Sequence, residues 1–126
     1  MKLWKGAILA ITMGLAAEAA AQSVVAVDIN RAKLRWQWVQ GAPPADGTPD
    51  EFRVKCGQAS GNYTRTTVVA YPTLEVAVKT AITGSGNWFC VVTAANQFGE
   101  SGNSNELPFA AGAVPSGPSS LTILAQ

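Results

Sequence analysis

Trp88-Phe-Cys-Val-Val-Thr-Ala94 alternates residue by residue. Trp88, Cys90, Val92 and Ala94 share one side, and Phe89, Val91 and Thr93 the other. That two-residue period is the signature of a β-strand. Working outward, the same period recurs. Phe52, Val54 and Cys56 alternate with Arg53 and Lys55. Leu74, Val76 and Val78 alternate with Glu75, Ala77 and Lys79. Over residues 32–39, Leu34, Trp36 and Trp38 face one way and Lys33, Arg35 and Gln37 the other. Val24 to Ile29 and Tyr63 to Val69 are rich in the β-branched residues that strands favour. Between these runs lie turn signals: the Pro- and Gly-rich loop 41–50, residues 57–62, Pro72, the segment 84–87, and the polar loop 96–104. Residues 105–109 form a last strand, with Pro108 suited to an edge. No long stretch has a helical period. The pattern predicts an all-β, two-sheet antiparallel sandwich of about seven strands, with apolar faces packed together and the opposite faces in water. Leu34, Trp36, Phe52, Val54, Val76, Trp88 and Val92 are its expected core.

The ends of the chain differ from this middle. Lys2 and Lys5 precede an apolar run from Gly6 to Ala17, and Ala19-Ala-Ala21 supplies small residues for cleavage. This is the plan of a secretory leader over 1–21, too short in its apolar part for a membrane span. No Cys follows the cleavage site to carry a lipid. The sandwich is assigned to 22–110 and a flexible tail to 111–126. The tail is rich in Ala, Gly, Pro and Ser, then closes on Leu121-Thr-Ile-Leu124. That apolar ending is either a frayed end or a strand for a neighbour's open sheet edge.

The chain has 126 residues, with 9 basic and 8 acidic side chains. Cleavage removes Lys2, Lys5 and Glu18, so the mature chain has a net charge of about zero. It carries no clustered basic patch, which argues against nucleic acid or an anionic membrane as partner. A mature chain of roughly 105 residues buries only a modest core. Cys56 and Cys90 are the two cysteines. In an exported chain an even pair points to a structural disulfide, the alternative being two buried thiols. The bridge would close a loop of roughly 35 residues. Export and the bridge agree on an extracytoplasmic location: periplasm, cell surface or medium.

The chain has no His. That removes the usual Ser-His-Asp and Cys-His activation and the common zinc sites. No Gly-rich phosphate loop precedes a Lys. Asp46, Asp50 and Glu51 cluster in the second loop, either as a Ca²⁺ ligand set or as a solvated turn, and the turn chemistry of Asp46-Gly47 and Pro49 favours the latter. We therefore expect no catalytic residues, no metal site and no cofactor. Two aromatic residues stay open. Trp38 either caps the end of the core or is presented as a binding ring. Phe98, among polar and Gly neighbours, either folds back or meets a partner.

Several motifs together resemble bacterial fibronectin type III domains. Leu34-Arg-Trp36 resembles the family's B strand, where the Trp fills the core. Glu51-Phe-Arg-Val-Lys-Cys-Gly57 sits where the family has an aromatic-led C strand ending in Gly, and Ser60-Gly-Asn-Tyr-Thr64 resembles the segment that follows. Val92-Thr-Ala-Ala-Asn96, Gly99-Glu-Ser101 and Ser104-Asn-Glu106 resemble strand F, the FG loop and strand G. The resemblance spans about residues 32–109 and implies a fibronectin type III-like, immunoglobulin-like sandwich. It also implies that Cys56 and Cys90 lie on neighbouring strands of one sheet. Trp88 stands where the family often has a Tyr whose hydroxyl caps the corner. An indole can donate but not accept, so that corner must be satisfied differently. Pro115-Ser-Gly-Pro-Ser-Ser-Leu-Thr-Ile123 resembles the start of a further repeat.

The expected function is a non-enzymatic binding module for a protein or a surface glycan. Its contact surface would be the loops 40–50 and 96–104, with Trp38, Asp46, Asp50, Gln97, Phe98 and Glu100 as candidate contacts. The alternative is a self-assembling structural subunit of an extracellular or virion assembly, such as a filament, surface layer or decoration, using the C-terminal strand.

Overall fold

A computed structural model describes residues 24–42 and 47–125. The expected leader and Asp46 lie outside the described residues. Eight strands and one helical turn follow in order: β1 Val25–Asp28, β2 Lys33–Arg35, β3 Glu51–Gly57, β4 Arg65–Ala70, β5 Glu75–Ala77, α1 Val78–Ala81, β6 Gly86–Asn96, β7 Gly99–Glu100 and β8 Leu107–Gly112. They form two sheets. The larger runs β1-β8-β6-β3-β4, with β7 added to β6, and the smaller is β2-β5. Every pair is antiparallel except β1–β8, which is parallel and corrects the expected all-antiparallel sheets; these two strands come from opposite ends of the domain, so no hairpin sets their direction. The architecture is an all-β sandwich, and a markedly unequal one.

The period-2 reading locates the core. Phe52, Val54, Cys56, Trp88 and Cys90 from the larger sheet are buried together with Leu34 from the smaller, and Trp36, Val76 and Val92 are half-buried against them. Phe52 and Trp36 meet edge to face at a ring-centroid distance of 5.6 Å. This is a favourable aromatic geometry in addition to the area buried.

Cys56 and Cys90 lie directly opposite each other in the β3–β6 register and are joined by a disulfide, with Cα atoms 4.2 Å apart. The bridge thus crosses neighbouring strands of a single sheet. A disulfide is the chemistry of an oxidising compartment and is consistent with an extracytoplasmic location.

Three features depart from the simple pattern. First, the run 74–78 stays a strand only to Ala77, then tightens into α1, which buries Val78 and Ala81. With so short a partner, β2 pairs over only three residues, and beyond Arg35 the Trp36 N–H donates to the Leu74 carbonyl, just before β5, at 3.0 Å. Second, β8 lies between β1 and β6 rather than at an edge. Pro108 is still tolerated, because β1 pairs only from Phe109 onward and Pro108 has a strand partner on one side alone among the described residues. Third, the outer face of β6 is not left to water. Val91, Thr93 and Ala95 are each no more than 3% exposed. They sit opposite Lys55, Arg53 and Glu51 of β3, whose long side chains roof that face.

Local chemistry closes the joints of the larger sheet. The Trp88 indole N–H donates to the Gly84 carbonyl at 2.9 Å, so the corner before β6 is held by a donor. Between β7 and β8 the chain bulges from β6, and two serines bridge the gap. The Ser101 N–H donates to the Ala94 carbonyl, and its hydroxyl accepts the Ala94 N–H at 2.9 Å; Ser104 does the same for Val92. A side-chain oxygen here takes the place of a strand carbonyl. Gly57 ends β3 because a Cβ there would lie 1.9 Å from the Asn62 carbonyl oxygen of the returning turn. That turn is anchored by Glu106, which accepts from the Ser60 hydroxyl at 2.6 Å, the Gly61 N–H at 3.0 Å and the Tyr63 hydroxyl. These donors, Ser60 foremost, hold the Glu106 carboxyl below the usual range, and the hydrogen bond to Glu106 raises the Tyr63 phenol in turn.

Candidate functional site

One end of the sandwich gathers the two loops expected to carry recognition. The long strand β6 reverses into β7 through a two-residue turn, Gln97-Phe98, with Asn96 opposite Gly99. Asn96 builds this turn twice over. Its side-chain oxygen accepts the Phe98 N–H at 2.9 Å, and its amide donates to the Thr48 carbonyl of the other loop at 3.1 Å. Gly99 closes the turn at a φ of 148°, which side chains rarely adopt. A polar side chain in a tight turn thereby ties loop 40–50 to the β6–β7 hairpin.

The result is an open depression of about 330 Å³, walled by Trp38, Gly47, Pro49, Asn96, Phe98 and Glu100 among others. Trp38 is half-buried and meets Tyr71 in a T-shaped pair with ring centroids 5.7 Å apart, so it both caps the core and forms one wall. Phe98 is 86% exposed. Its ring is not folded back, and its backbone is held by Asn96. Pro49, by contrast, is buried in the opposing loop.

Beneath the depression lies a charged network on the outer face. Glu100 accepts from Lys55 Nζ at 2.6 Å, Thr93 Oγ1 at 2.5 Å and Arg53 Nη1 at 3.3 Å. Arg53 Nε also donates to Glu51 at 2.7 Å. Lys55 first, then Thr93, pull the Glu100 carboxyl down to about 2. The Arg53 guanidinium is raised, chiefly by Glu51. Glu100 is therefore a committed member of the sheet's roof as well as a wall of the depression.

The other candidate contacts fall as follows. Gln97 is exposed beside Phe98 at the tip of the turn. Asp50 is exposed at the foot of β3, its N–H donating to the Ala95 carbonyl at 2.8 Å and its carbonyl accepting the Tyr71 N–H at 3.1 Å. Glu51 is engaged by Arg53 rather than set beside Asp50 as a ligand pair. Among the described residues, no group of three or more His, Cys, Asp or Glu side chains could hold a metal ion. Sequence reasoning missed the loop-tying roles of Asn96 and Thr48 and read Pro49 only as a turn residue. An Asn three residues before a Gly is a turn signal of recognised type, and it marks Asn96 as the builder of the turn. Its second bond, to Thr48, is a long-range contact that no local pattern contains.

In comparisons with family models, curated proteins and solved structures, nothing matches this chain.

Proposed function

We propose that this chain is an exported, non-enzymatic module of the fibronectin type III kind, which binds a protein or a surface glycan through the end of the sandwich that carries Trp38 and Phe98. The observation that carries the reading is Phe98: an aromatic ring 86% exposed on a backbone-locked turn, beside an open depression with a second aromatic wall. Leaving such a ring in water is unfavourable, and a rigid aromatic that loses little entropy on binding is a typical interface anchor. The ordered motifs from Leu34 to Glu106 support the family, and the leader plan with the Cys56–Cys90 bridge supports export. The lack of His supports a binding rather than a catalytic role.

The test is retention of the purified mature chain on envelope and culture-fluid material from the producing cell, with protein and polysaccharide fractions assayed separately. Truncating an anchor of this type costs about 2 kcal/mol, so Phe98→Ala is expected to weaken retention roughly 30-fold. Lys79→Ala, on α1, should leave it unchanged. Equal retention of wild type and Phe98→Ala would remove this end of the molecule as the contact surface.

A further inference from the structure

The smaller sheet is unfinished in a specific way. Among the described residues β2 pairs with β5 alone. Its even-numbered residues face β5: the Ala32 carbonyl accepts the Val78 N–H at 3.0 Å and the Trp36 N–H donates to the Leu74 carbonyl at 3.0 Å. By alternation, the backbone groups of Lys33 and Arg35 point the other way, along an open edge. That edge borders a groove of about 550 Å³ that runs between β2 and the larger sheet, floored by Leu34, Trp36, Cys90, Val92 and Leu107. No β5 residue lines it. Trp36 lines this groove, and its Nε1 is buried without a hydrogen-bond partner among the described residues. A buried donor with no acceptor is costly, so this side of the small sheet is less completely satisfied than the larger one.

The chain carries a segment of matching chemistry. Residues 113–125 form no helix or strand, and Leu121, Ile123 and Leu124 are 86–100% exposed. Leu121 and Ile123 share one face at the strand period, and residues 113–125 carry no charged side chain. The tail leaves β8 after Gly112, which pairs with Asp28, and it lies clear of its own groove. We infer that the tail of one copy adds as a strand to the open β2 edge of a second copy, setting Leu121 and Ile123 into the groove and its backbone against the Lys33 and Arg35 edge. One tail in one groove falls short of the roughly 20–30 residues a side of a stable interface. Reciprocal exchange, in which each copy gives and receives a tail, approaches that size and closes the assembly as a two-fold dimer.

The test is the mass of the full mature chain by sedimentation equilibrium over a concentration series, with amide exchange read at Lys33 and Arg35. Wild type should dimerise as concentration rises, and those two amides should become protected with it. Leu121→Asp/Ile123→Asp alters only exposed side chains, so the fold is kept, and it should weaken dimerisation about 100-fold or more by placing charge in an apolar groove. Phe98→Ala should leave dimerisation unchanged, which separates this assembly from the proposed partner surface. A synthetic peptide of residues 116–125 should compete the dimer apart while protecting the same amides. A chain that stays monomeric, or a dimer indifferent to the tail charges, would overturn the inference. So would a monomer whose Lys33 and Arg35 amides are protected, because the tail would then fill its own groove.

Discussion

The two sheets of this sandwich are built to different standards. In the larger one nearly every joint has a dedicated device: a cross-strand disulfide, a Trp88 corner donor, paired serine hydroxyls completing the β6 ladder, and an ionic roof over Val91, Thr93 and Ala95. The smaller sheet has two three-residue strands, with Lys33 and Arg35 both paired to Glu75 across them. Just beyond β2, the Trp36 indole N–H has no hydrogen-bond partner among the described residues. Both sheets press on one core, so burial alone does not explain the difference. The contrast suggests a division of labour: the larger sheet supplies the stability of the domain, and the open places around it are where contacts with other molecules form.

That division can be broken by experiment. Replacing both cysteines, Cys56→Ala with Cys90→Ala, should have the largest effect. The bridge closes a sequence separation of 34 residues, and removing it is expected to cost ~3–4 kcal/mol in a denaturant titration. A domain of this size has only about 5–15 kcal/mol in total. A loss below about 1 kcal/mol would mean that the larger sheet is not stapled in the way described.

The two indoles give a sharper comparison. Trp88→Phe and Trp36→Phe each trade a bicyclic ring for a smaller one, but only the first breaks a hydrogen bond. In dilute solution Trp88→Phe should cost about 1–2 kcal/mol more than Trp36→Phe. Equal costs would erase the distinction between the satisfied and the orphaned N–H. Next come the serine rungs. Ser104→Ala and Ser101→Ala each remove the acceptor of a strand N–H and should each cost ~0.5–1.5 kcal/mol, measured by thermal melts.

The smallest effect is pH dependence. The Glu100 carboxyl is depressed from 4.5 to about 2. A depressed acid contributes stability that is fully present above its unfolded value and is lost as pH falls toward the folded one. The melting temperature of wild type should therefore decline between about pH 4.5 and 2, and Glu100→Gln should flatten that slope. An identical slope in the variant would detach Glu100 from the roof. Glu75 is lowered too, first by Arg35 and then by Lys33, but this pair of bridges is open to solvent and should respond strongly to salt.

Much of the architecture was legible because it rests on local periodicity. The alternation in Phe52 to Cys56 and Trp88 to Ala94 placed both cysteines on the core side of strands, and the structure pairs them. Leu34, Trp36, Val76 and Val92 were legible as inward residues for the same reason. The unequal sheets were not. Whether residues 74–81 remain extended or turn into α1 depends on how Val78, Ala81 and Ile82 meet the core, which alternation does not encode. The burial of Val91 and Thr93 was hidden because it depends on long charged side chains of a partner strand. At the candidate site Trp38 and Phe98 could be named from their setting, whereas the Asn96–Thr48 bond that joins their two loops is purely tertiary.

Amide hydrogen exchange on the full mature chain, followed across a dilution series, tests the central contrast most directly. The Val92 and Ala94 amides, held by the Ser104 and Ser101 hydroxyls, should be protected at every concentration. The Lys33 and Arg35 amides should exchange fast when the chain is dilute. Fast exchange at Val92 and Ala94, or concentration-independent protection at Lys33 and Arg35, would contradict the account of one finished sheet and one open one.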